Sequence, residues 1–150
     1  MENFIQFAAA RFGLSPADAH TLAGALLWVI QLHAGDAFSA VHALDPEVRR
    51  LVDRAPAALA EARRPLPFFP GPGRVCGTQA SLLRLFAGMG FSLARTGRFA
   101  QTLQTWLIAE LGAPTVRAMV DHTPVLQLLA AAQDRPVPTP RVSRPLSLVA

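Results

Sequence analysis

Four histidines, one cysteine and an arginine-rich segment are the residues of this chain best suited to chemistry, and their spacing decides how far each can go. His20, His33, His42 and His122 offer imidazole nitrogens. No two of them stand four apart, the helical spacing that turns both toward one metal ion. His33, Asp36 and His42 could meet only across the turn at Gly35, and histidines held near helix ends by the helix dipole or by solvent are the simpler expectation. Cys76 lies between Arg74 and a helix start near Thr78, surroundings that favour a reactive thiolate. No histidine is close in sequence to serve as its base, so an ordinary thiol is expected. Gly71-Pro72-Gly73 with Gly77 has the composition of a phosphate loop but no strand before it to converge amides and a helix N-terminus on a phosphate. A chain without lysine cannot form the lysine-bearing phosphate loop either. The expectation is a protein that is not an enzyme and holds no metal or cofactor.

Binding chemistry is better represented. Arg49, Arg50, Arg54, Arg63 and Arg64 fall on one segment and form a candidate interaction patch for nucleic acid or an acidic partner. All 14 basic residues are arginine, and they are unevenly placed. Residues 1–48 set Arg11 against Glu2, Asp18, Asp36, Asp45 and Glu47, whereas most of the arginines follow in residues 49–98. Solvated arginine faces of ordinary helices would give the same pattern. Trp28, Phe99 and Trp106 form a second candidate, a pocket for a small molecule or lipid between the two halves of the chain, and large aromatics on central helices also serve as core. Arg135-Pro136-Val137-Pro138 loosely resembles a polyproline ligand without completing a recognition motif.

The elements that must position these residues are marked by punctuation. Ser15-Pro16-Ala17-Asp18 places a hydroxyl at the N-cap, proline at the first helical position and a carboxylate in the first turn. Asp45-Pro46 and Thr123-Pro124 repeat the device, and Ser92 caps without proline. Gly13, Gly35, Gly90 and Gly112 are expected to stop helices as left-handed residues. Between these marks apolar residues recur with helical period, which predicts helices over about 2–12, 16–33, 37–43, 46–63, 79–89, 93–111, 114–121 and 124–133. Pro56 should bend or break the fourth. Residues 64–77 form a Pro/Gly-rich linker in which Phe68 and Phe69 are expected to pack, and 134–150 an extended, disordered Pro/Arg-rich tail.

The two sides of the linker match. Gly13, Ser15, Ala23, Leu26 and Gly35 pair with Gly90, Ser92, Ala100, Leu103 and Gly112 at one offset. After one inserted residue Ala40, Val41 and Pro46 pair with Ala118, Met119 and Pro124. The matches fall on stops, caps and apolar positions, so what repeats is a scaffold. A single domain over 1–133 follows, with an all-α bundle of seven to eight helices in two pseudo-repeated halves, 2–63 and 78–133. A chain of 150 residues, 51% hydrophobic, can sustain such a core without disulfides, which a lone cysteine could not make. The longest apolar stretch, Leu22–Leu32, is too short to span a membrane and reads as a buried helix. The opening residues lack the pattern of a secretory signal, so a cytoplasmic location is expected.

Residues Leu82 to Ser92, with Phe99 and Leu107-Ile108-Ala109-Glu110-Leu111-Gly112, resemble the VcgC/VcgE-type family of uncharacterised bacterial proteins. Gly13-Leu14-Ser15 with Gly24-Ala25-Leu26-Leu27 is similar to that family's N-terminal half and to the YidB-like helical proteins. The resemblance covers about residues 3–130 and implies an all-helical bacterial protein, with no catalytic residue to carry over. The leading expectation is a non-enzymatic helical protein acting through protein contacts, with homo-oligomers open. Nucleic-acid binding through residues 49–64 and small-molecule or lipid binding between the halves are the alternatives.

Overall fold

A computed structural model of the chain describes residues 1–61 and 77–133. Eight α-helices occupy them: α1 (Glu2–Phe12), α2 (Pro16–Ala34), α3 (Ser39–Leu44), α4 (Pro46–Glu61), α5 (Thr78–Gly88), α6 (Leu93–Leu111), α7 (Ala113–Asp121) and α8 (Pro124–Gln133). A 3-10 turn, Gly35–Phe38, joins α2 to α3, and there is no strand among the described residues. The fold is all-α. The linker with Cys76, Phe68, Phe69 and the glycine cluster, together with Arg63, Arg64 and the tail, lies outside the described residues.

Local chemistry accounts for the helix boundaries. Ser15 Oγ accepts from the Asp18 amide at 3.1 Å and Ser92 Oγ from the Arg95 amide at 3.2 Å, so α2 and α6 start with the same cap and each runs for 19 residues. Upstream, α1 and α5 end alike. The Leu14 amide reaches back to Ala9 O at 2.9 Å and the Phe91 amide to Phe86 O at 3.0 Å, the five-residue closure that satisfies orphan carbonyls. Gly13 takes the left-handed geometry this requires (φ 63°, ψ 38°). Gly35 and Gly112 also have positive φ but ψ of −124° and 152°, so they end their helices outside the left-handed helical well.

Other expectations change as well. Pro56 does not end α4, which runs on to Glu61; the ring stands on the exposed face, away from the packed side formed by Val48, Leu51, Val52, Ala55 and Leu59. Thr123 does not cap α8: its hydroxyl turns back to donate to Met119 O at 2.8 Å and accepts from no α8 amide among the described residues. The Val125 amide donates instead to Gln79 Oε1 at 2.6 Å, a buried side chain from α5. By contrast Asp45 Oδ1 does cap α4, accepting from the Glu47 amide at 2.9 Å.

The helices interlock. In the first half α2 packs chiefly on α4, and in the second α6 packs on α8. Glycines permit both crossings: a Cβ on Gly24 would lie 2.6 Å from Leu51 O, and one on Gly97 2.8 Å from Leu129 O. Across the halves, α1 packs on α6 as well as α2, and α5 on α2 and α4 as well as α6. One hydrophobic core therefore spans both halves. At its centre Phe99 touches Phe4, Phe12, Phe86 and Phe91, with ring centroids 5.2–6.2 Å apart. Arg95 ties the same ends together, donating to Phe12 O while its guanidinium lies 4.4 Å from the Phe91 ring centre.

The helical path Pro16–Leu44 is long and apolar enough to cross a membrane by length and composition, contrary to the shorter stretch expected. Half of that apolar window is buried inside the fold, and α2 is covered by α1, α4, α5 and α7, which is how the core helix of a bundle is built.

Candidate functional site

A groove of about 600 Å³ lies between α1 and α6. Helical spacing builds both walls. On α1, Asn3, Phe7 and Arg11 stand four apart and share a stripe, with Phe4 beside them at the floor. On α6, Arg98, Gln101, Thr102, Thr105, Trp106 and Ala109 line the opposite wall, and Gln133 of α8 closes one corner.

The two helices run antiparallel. Phe4 meets Trp106 at 5.7 Å while Phe12 meets Phe91 at 6.0 Å, so the C-terminal end of α1 lies against the N-terminal end of α6. Arg11 and Arg98 are therefore at one end of the groove, and Phe4, Trp106 and Ala109 at the other. Phe7 is 53% exposed, with the Arg11 guanidinium 5.9 Å from its ring centre. Neither Arg11 nor Arg98 is in an ion pair among the described residues. Thr102 and Thr105 donate their hydroxyl protons to Arg98 O and Gln101 O, at 2.8 and 2.9 Å. Toward a ligand these hydroxyls can only accept, and the donors are Asn3, Gln101, Gln133 and the two guanidinium groups.

The three aromatics of the expected pocket are separated. Trp106 lines the groove, half-buried. Phe99 is fully buried behind Phe4 and reaches no ligand. Trp28 packs half-buried against the core from α2, away from the groove. Sequence reasoning passed over Phe7, Arg11 and Arg98. Phe7 carried a signal, since it falls off the core stripe of Phe4, Ile5, Ala8 and Phe12, leaving a large ring with no helical neighbour to bury it.

The arginine patch is divided too. Arg49, Arg50 and Arg54 are exposed on α4, but Glu47, Asp53 and Glu61 on the same helix balance them, and Arg50 pairs with Glu47 at 3.6 Å. Arg54 turns into a smaller cleft of about 390 Å³ between α2 and α4, shared with His20 and Glu47 over Leu51 and alanines. That cleft has mixed charge and no aromatic wall.

The histidines do not assemble. His20 Nε2 is 3.9 Å from Glu2 Oε2, His42 stacks edge-on against Phe38 at 5.1 Å, and His33 and His122 are exposed. Among the described residues no group of three or more histidine, cysteine or acidic side chains could hold a metal ion. The Asp45 carboxyl is held below its ordinary pKa first by the Glu47 amide and then by the α-amino group of Met1, 2.9 Å away. In comparisons with protein-family models, curated proteins and solved structures, nothing matches this chain.

Proposed function

We propose that this is a non-enzymatic helical protein of the bacterial cytoplasm, a VcgC/VcgE-type scaffold of two similar halves, that works by binding another protein through the α1–α6 groove. The observation that carries this reading is the solvent access of Phe7 and Trp106 in one groove, in a fold where every other phenylalanine among the described residues is buried. Accessible aromatics in a concave, polar-rimmed setting are what the anchoring centre of a protein contact looks like. Nucleic-acid binding has less support, because the described part of α4 carries as many carboxylates as arginines and offers phosphates no continuous positive face.

The test is selection of binders from a random peptide library, followed by mapping of amide shifts in the labelled protein. Binders that shift Phe7, Thr105 and Trp106 are expected. Binders that map to Arg49, Arg50 and Arg54, or none after exhaustive selection, would contradict the reading.

A further inference from the structure

The groove is polarised along its length, and this limits what can lie in it. Its cationic end is made by Arg11 and Arg98 and its aromatic end by Phe4 and Trp106, with Phe7 between them beside Arg11. From Arg98 to Ala109 the α6 wall extends about 16 Å at the helical rise per residue, the length of three turns of a bound helix. Resting on the protein-binding reading above, we infer that the partner segment is a short amphipathic helix with carboxylates in its first turn and an aliphatic stripe after them. The carboxylates meet Arg11 and Arg98, and the stripe packs on Phe7 and Trp106.

Three arguments favour this occupant. Two guanidinium groups without a carboxylate partner among the described residues supply the charge complementarity. Acidic residues in the first turn of the incoming helix also match its own dipole, so one arrangement satisfies both partners. Finally, the walls alternate apolar rings with Asn3, Gln101, Thr102, Thr105 and Gln133, and the groove is open along one side. A fatty acid seeks an enclosed, mainly apolar cavity, whereas a polar rim around an aromatic centre suits a helix laid in a groove.

The experiment uses the full chain carrying Trp28→Phe, so that emission reports Trp106 alone. Four probes are titrated: a peptide of about 14 residues with two glutamates in its first turn and leucines at helical spacing, its Glu→Gln and Glu→Lys versions, and dodecanoate. The glutamate peptide should shift Trp106 emission and bind more tightly than the glutamine version, with affinity falling as salt rises. Arg11→Glu with Arg98→Glu, both at exposed positions, should weaken the glutamate peptide roughly tenfold and favour the lysine version. Equal binding of the glutamate and glutamine peptides, unchanged by the double reversal, would overturn the charge assignment and leave the groove reading standing. Binding of dodecanoate with no peptide binding would overturn the peptide occupant. If no probe moves Trp106 emission or the groove amides, both the inference and the groove reading fail.

Discussion

Helices α2 and α6 share a length, a serine cap and a register of apolar residues, yet one is the axis of the core and the other a wall of the groove. Ten residues of α2 are buried, including the unbroken run Leu22–Leu27, because α1, α4, α5 and α7 surround it. In α6 six are buried, as a stripe, and Gln101, Thr105, Ile108 and Ala109 stay in solvent. Trp106 occupies the place that Val29 takes in α2, and Val29 is wholly enclosed. Helices of the same length and cap are thus enclosed in one case and open on one face in the other, and the proposed binding residues lie on the open face.

The largest contrast should come from two aromatic rings on α6. Phe99→Ala removes the ring that Phe4, Phe12, Phe86 and Phe91 pack around and should cost about 3–5 kcal/mol by urea denaturation. Trp106→Ala removes a half-buried ring and should cost roughly 1–2 kcal/mol. Similar losses at both positions would mean that Trp106 is core, not groove.

Next in size are the helix crossings. A methyl at Gly24 or Gly97 meets a backbone carbonyl that cannot rotate away, so Gly24→Ala and Gly97→Ala should each destabilise by about 1–3 kcal/mol in thermal melts. The two crossings share a carbonyl register, Leu51 matching Leu129, but their glycines differ by one helical turn. If only Gly24→Ala is costly, the second half is loosely packed and the similarity of the crossings is lost.

The caps should behave as a matched pair. Ser15→Ala and Ser92→Ala each remove one acceptor from a first turn and should cost about 1 kcal/mol apiece. A clear inequality between them would show that the two starts are alike in form only.

The smallest effect is confined to the first half. Asp45 has a depressed pKa when folded, so its contribution is present above the ordinary aspartate value of about 3.9 and is lost as pH falls through the lower folded value. Its counterpart Thr123 does not titrate. Asp45→Asn should flatten the acid limb of the stability profile, and an unchanged limb would remove this contact from the account.

Much of the framework was legible because its signals are local. Serine caps, proline starts and glycine stops act within one turn, and α6 begins and ends, and α8 begins, where they place them. Signals that depend on distant neighbours were not legible. Nothing near Thr123 announces that Gln79, 46 residues away from Val125, takes over the capping of α8. The groove was only partly visible, since Trp106 and Phe99 are both aromatic residues on one helix and sequence alone cannot say which is covered. That depends on α1 crossing from the first half, where Phe4 seals Phe99 and leaves Phe7 outside.

The contrast between the two long helices can be tested in one labelling series. In a Cys76→Ser background, a single thiol is introduced by Trp106→Cys or by Val29→Cys, and its rate of modification is followed in the native protein with and without the glutamate peptide. The account predicts rapid labelling at position 106 that the peptide slows, and labelling at position 29 only after unfolding. Equal protection at both positions, or labelling at 106 that the peptide leaves untouched, would contradict it.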